Sequence, residues 1–81
     1  MEIFYKPAAL KQLKKITKVE LKKIFNKLES LKNDPYAGKA LKGELKSLYS
    51  VKPWPYRIIY EISTSKIIVY SIIHRQRAYK K

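Results

Sequence analysis

The spacing of apolar residues changes twice along the chain, and each change marks a different kind of element. Residues 2–6, with Ile3, Phe4 and Tyr5, form a short run rich in strand formers. Pro7 then opens a helical stretch, where its missing N–H leaves no bond unmade. Leu10, Leu13 and Ile16 follow at intervals suited to one helix face. Thr17-Lys18-Val19-Glu20 matches a capping box, with Thr17 as N-cap and Glu20 reaching back to its amide. The stripe Leu21, Ile24, Phe25, Leu28 and Leu31 predicts a second amphipathic helix, with Lys22, Lys23, Lys27 and Lys32 turned to water. Asn33-Asp34-Pro35 stops it, because the residue before proline is pushed out of the α region. The two helices, joined at Thr17, make an αα-hairpin.

From Tyr36 to Lys46 the pattern lapses. Both glycines, Gly38 and Gly43, sit here with Lys39, Lys42 and Lys46, so a basic surface loop is expected. Beyond it the period becomes two. Tyr49 and Val51 alternate with Ser50 and Lys52. After a turn or bulge at Pro53-Trp54-Pro55, Tyr56, Ile58, Tyr60 and Ile62 share one face, and Arg57, Ile59 and Glu61 the other. Ser63-Thr64-Ser65 reads as a hairpin connection. Residues 66–73 are almost continuously apolar, the mark of a central strand covered on both faces. The expected fold is therefore α+β and a single domain over residues 1–81. It is a small antiparallel sheet of about four strands with the N-terminal αα-hairpin on one face, in the order β-α-α-β-β-β. The opposite face is left free to bind a partner.

With 81 residues, the chain buries only about 60–65% of its unfolded surface, so a deep cofactor cavity would consume the core. Chemistry is expected on an open groove or sheet face, without a cofactor. No apolar run of about 18 residues predicts a membrane span. The N-terminal segment lacks the basic region and long apolar core of a signal peptide, so a cytoplasmic location is expected.

Charge narrows the partner. Lys and Arg number 19 against 6 Asp and Glu, a net +13, while an apolar content of 46% argues against disorder. A folded domain with this field attracts an anion. With no cysteine and one histidine, thiolate and His-rich metal sites are excluded, and 6 acidic residues offer little to a two-metal nuclease site. Lysine on the helices reads mainly as a solvated face. The three arginines, Arg57, Arg75 and Arg77, all lie in the C-terminal half. Arginine binds phosphate oxygens through two parallel N–H groups. Strand parity can place Ser50, Lys52 and Arg57 on the open face. Arg57 fits either a phosphate contact or a surface ion pair with Glu61. His74 fits either a general acid or base or a polar strand terminator. Tyr79 fits proton donation, stacking on a base, or packing on the sheet. There is no phosphate-binding glycine loop, no Ser/His/Asp arrangement and no separated carboxylate pair. Phosphodiester cleavage by Lys, Arg, His and Tyr without metal suits RNA, whose 2′-OH can attack the adjacent phosphate.

Leu41-Lys42-Gly43, Leu48-Tyr49-Ser50-Val51-Lys52, Tyr56-Arg57-Ile58-Ile59-Tyr60 and Ile72-Ile73-His74-Arg75 with Tyr79, taken in that order, resemble the RelE/ParE superfamily of bacterial and archaeal toxins. The likeness spans nearly the whole chain. It implies the toxin of a type II toxin–antitoxin pair, neutralised by a RelB-like antitoxin. RelE-type members enter the ribosomal A site and cut mRNA by 2′-OH attack, leaving a 2′,3′-cyclic phosphate and a 5′-OH. Carried over by position, Lys52 matches a strand lysine that acts as base or stabilises charge. Arg57 matches the arginine on the scissile phosphate, Arg75 a second such arginine, and Tyr79 a tyrosine that orients or stacks on substrate. His74 stands where several relatives have histidine. The implied catalytic set is Lys52, Arg57, His74, Arg75 and Tyr79. The implied RNA-binding set is Lys42, Lys46, Lys52, Arg57, Arg75, Arg77 and Tyr79. Ser50 stands where many RelE members have a further lysine, and the loop before Arg57 is shorter, holding Trp54 between two prolines. Two alternatives remain open: a ParE-like gyrase inhibitor without catalysis, and a non-catalytic RNA-binding module.

Overall fold

In the computed structural model, which describes residues 2–41 and 48–75, the chain runs β1 (Glu2–Tyr5), α1 (Pro7–Lys14), α2 (Lys18–Asn33), a 3-10 turn (Pro35–Ala37), β2 (Lys39–Ala40), β3 (Leu48–Val51), β4 (Tyr56–Ser63) and β5 (Lys66–His74). The strands form one sheet in the order β1-β5-β4-β3-β2. The α+β architecture is the expected one, with two differences in the sheet. It has five strands, because Lys39 and Ala40 pair antiparallel with Ser50 and Tyr49. Two residues are too few to show a period of two, so the segment reads as loop in sequence. The sheet is also mixed: β1 pairs parallel with β5, Glu2 opposite Lys66 and Tyr5 opposite Val69. Side-chain alternation does not encode strand direction, and a strand followed by helices can return parallel through the crossover they make.

The helices cover one sheet face. Ile24, Leu28 and Leu31 of α2 and Ala9 of α1 meet Val51, Ile58, Tyr60, Ile67, Val69 and Ile72, all buried. Leu10 is 47% exposed and does not hold α1 down. A three-residue interval drifts off a 3.6-residue helix, and the packed row is Ala9, Leu13 and Ile16 instead. Phe25 likewise lies at the rim, 42% exposed, whereas Lys27, expected in water, is half-buried. Thr17 caps α2 by accepting the Glu20 N–H at 3.4 Å. The Glu20 carboxylate does not complete the box: Oε1 lies 3.8 Å from Lys23 Nζ, and Oε2 is buried without a hydrogen-bond partner.

β5 is central, flanked by β1 and β4, but among the described residues helices cover only one of its faces. Ile67, Val69 and Ile72 are buried, while Ile68, Tyr70 and Ile73 on the other side are half-exposed. The spacing 67, 69, 72 departs from strict alternation because of a bulge. Tyr60 pairs with Val69 but Ile59 with Ser71, leaving Tyr70 unmatched in the ladder. β1 stops short of this point, where Lys6 N–H donates to the Val69 carbonyl at 2.9 Å. Gln12 of α1 continues the edge, its Oε1 accepting the Ile72 N–H at 2.6 Å.

Candidate functional site

The bulge decides which residues of β5 reach the open face. Without it, the parity set by Ile67 and Val69 would carry Ile73 and Arg75 under the helices. With the extra residue, Ile72 and His74 take the helix side and Ile73 the open side; the strand ends at His74, and Arg75 begins a helical turn.

The β3–β4 connection brings further cations to the same end. Val51 pairs with Ile58, and Tyr56 N–H donates to the Pro53 carbonyl at 2.9 Å, closing a tight turn around Trp54 and Pro55. Continuing that register by one step sets Lys52 opposite Arg57. On its other side Arg57 pairs with Ile73, and Arg75 N–H donates to the Pro55 carbonyl at 2.7 Å. Arg57 shares the face of Ile59 and Glu61, away from the helices. Lys52 and Arg57 thus sit side by side on the open face at this corner of the sheet, with Arg75 tied to the turn beside them. Arginine can hold a phosphate through two parallel N–H groups, and a neighbouring lysine adds a point charge. Glu61, the alternative ion-pair partner for Arg57, accepts the Tyr70 hydroxyl at 2.6 Å, and that bond raises the tyrosine's pKa above its ordinary value.

His74 is separated from this corner. Its ring meets Tyr56 edge-on, 5.2 Å between centroids, on the helix side of the sheet. There it lines a shallow cleft of about 260 Å³ with Gln12, Lys15 and Ile16. Lys42, Lys46, Arg77 and Tyr79 lie outside the described residues.

Two features escaped the sequence pattern. The Arg75 guanidinium carbon sits 4.5 Å from the centre of the Trp54 ring, which is 65% exposed. Beside Lys52, a second hollow of about 280 Å³ is lined by Lys27, Gly38, Lys39 and Ser50, which extends the basic surface around the sheet edge. Its wall is fastened by Tyr60. The Tyr60 hydroxyl donates to the Pro35 carbonyl at 2.7 Å and accepts the Gly38 N–H at 3.2 Å, which ties the segment leading to Lys39 against the core. Burial raises the Tyr60 pKa above 10.0, opposed in part by the Gly38 N–H. The Tyr49 ring stacks on Tyr60 at 5.8 Å and meets Tyr36 edge-on at 5.7 Å. No periodicity rule predicts such a hydroxyl latch, although Tyr60 at a core-facing strand position signals a polar tip that must find partners.

An αα-hairpin on one face of a five-stranded mixed sheet, with the other face open, is the RelE-like fold. The family described as "ParE toxin of type II toxin-antitoxin system, parDE" matches residues 3–79, and the chain belongs to that family, within the RelE/ParE superfamily. Solved structures agree in fold. The toxin in the RelBE2 toxin–antitoxin complex from Mycobacterium tuberculosis superposes with a TM-score of 0.82 at 23% identity, covering 91% of this chain and 96% of that one. A YoeB/ParE toxin from Agrobacterium tumefaciens gives 0.80 at 20% identity, covering 91% and 98%. The isolated RelE toxin of E. coli gives 0.78 at 22% identity, covering 90% and 82%. A search of curated protein sequences found no match. Among the described residues, no helix is long and apolar enough to cross a membrane.

Proposed function

We propose that this toxin is a ribosome-dependent endoribonuclease that cleaves mRNA in the A site without a metal ion, and that a RelB-like antitoxin neutralises it. The observation that supports the reading is the gathering of Lys52, Arg57 and Arg75 around the turn between β3 and β4. In the reaction the 2′-oxygen forms a bond to phosphorus, the bond from phosphorus to the 5′-oxygen breaks, and negative charge builds on the phosphorane oxygens. Arg57 and Arg75 stabilise that charge, by about 3 kcal/mol for a well-placed donor. Lys52, opposite Arg57, takes the 2′-OH proton or supplies further positive charge. Tyr79 stacks on the substrate or assists the leaving group. His74, whose ring meets Tyr56 at the same end of the sheet, is the alternative acceptor of the 2′-OH proton. The corner is open to water, so the ribosome supplies the order that a closed active site would otherwise give. The field of the +13 chain draws it to ribosomal RNA in the cytoplasm.

The test is cleavage of mRNA programmed on purified ribosomes, compared with the same mRNA alone. Cuts confined to the A-site codon, bearing 2′,3′-cyclic phosphate ends and dependent on ribosomes, support the reading. Rapid cutting of naked mRNA with no gain from ribosomes opposes it. The match to a ParE family favours a second reading, a gyrase inhibitor without catalysis. Inhibition of supercoiling with no mRNA cleavage would establish that reading in place of the first.

A further inference from the structure

Trp54 is the only tryptophan in the chain, and it is displayed rather than buried. Folding normally hides so large an apolar ring. Here the tight turn between Lys52 and Arg57 holds it outward, and the Arg75 backbone is tied to the adjoining Pro55. The Arg75 cation lies over the ring at 4.5 Å, while 65% of the residue remains accessible. An exposed aromatic set among cations is how proteins hold single-stranded nucleic acid: the cations take phosphates and the ring takes a base.

We infer that Trp54 is a stacking platform for an unpaired RNA base next to the phosphate held by Lys52, Arg57 and Arg75. This rests on the proposal that the corner binds RNA, and it adds a contact that phosphate recognition does not supply. A stacking surface accepts any base, because every base has a π-face. Trp54 therefore contributes affinity and positions the strand with little sequence preference, and Arg75 keeps its N–H groups for phosphate while its face rests on the indole.

Because Trp54 is the sole tryptophan, its fluorescence reports the contact directly. The probes are a short 2′-O-methyl oligoribonucleotide, which cannot be cleaved, and an abasic phosphodiester backbone of equal length. The oligonucleotide is expected to quench the emission and the abasic backbone to leave it nearly unchanged. By anisotropy of the labelled oligonucleotide, W54A should weaken binding by about tenfold and W54F should recover most of the loss. The salt slope should stay as in the wild type for W54A and fall by about 1 for R75A. Equal quenching by the abasic backbone, or wild-type affinity in a folded W54A, would overturn the inference. So would a loss confined to ribosome binding with oligonucleotide affinity intact, which would make Trp54 a contact to the ribosome itself. Binding to a non-cleavable probe is independent of catalysis, so a toxin that stacks RNA but cuts none would refute the nuclease proposal and leave this one standing.

Discussion

The two faces of the sheet are built from the same strands and differ in almost everything else. On the helix side, Ile58, Tyr60, Ile67, Val69 and Ile72 interlock with Ile24, Leu28 and Leu31. On the open side, Ile59, Ile68 and Ile73 are half-exposed, and the turn between β3 and β4 beside them gathers Lys52, Arg57 and Arg75. Stability concentrates where area is removed from water, at about 25 cal/mol per Å². The open side gives up much of that gain and keeps a surface on which an anion can be bound. The difference teaches that substitutions on the two faces should fail differently: one set unfolds the protein, the other leaves a folded protein that no longer acts.

The largest effect should come from the covered face. Ile24→Ala leaves a cavity against β4 and β5 and should lower unfolding free energy by about 2–5 kcal/mol, read by urea denaturation. Arg57→Ala should reduce ribosome-dependent cleavage by about 10²–10³-fold in a protein that remains folded. Gly38→Ala comes next. A Cβ there runs into the Tyr60 hydroxyl and stands 2.9 Å from the Ser50 carbonyl, so a loss of about 1–3 kcal/mol is expected. Tyr60→Phe keeps the ring and removes the hydroxyl latch, for about 1 kcal/mol. The raised Tyr60 pKa fixes the sign of the pH dependence. The fold favours the neutral phenol, so this contribution is intact below pH 10.0 and is lost as pH rises past it. Alkaline denaturation should therefore be less steep in Tyr60→Phe, with Tyr5 and Tyr56, both raised chiefly by burial, and Tyr70, raised chiefly by its bond to Glu61, contributing as well. The smallest effect should be Lys23→Ala, which removes a 3.8 Å surface pair and should change stability by less than about 0.5 kcal/mol.

Much of the covered face was legible in the sequence, because burial writes itself as period. The stripe Ile24, Leu28 and Leu31 and the alternation Ile58, Tyr60 both predict core, and both are core. The Ser63–Lys66 pairing makes the expected hairpin. What escaped was set by tertiary contact. Ala9 anchors α1 because a small side chain lets helix and sheet approach, whereas Leu10 has the stronger hydrophobic signal and faces out. The bulge at Tyr70 is invisible in a run of apolar residues, yet it puts Ile72 and His74, rather than Ile73, on the helix side. The Lys52–Arg57 opposition follows from a turn register that Pro53-Trp54-Pro55 leaves ambiguous until its hydrogen bond is known. The membership in a toxin family rested on the order of short motifs and was confirmed over residues 3–79.

In the proposed function the open corner carries the chemistry and the covered face supports it. The most direct test is primer-extension mapping of ribosome-bound mRNA with wild-type toxin and Arg57→Ala, alongside the thermal melting of both proteins. The expected result is A-site cuts with 2′,3′-cyclic phosphate ends for the wild type and a loss of at least about 10²-fold for an Arg57→Ala protein that still melts cooperatively. Undiminished cutting by a folded Arg57→Ala protein would contradict it.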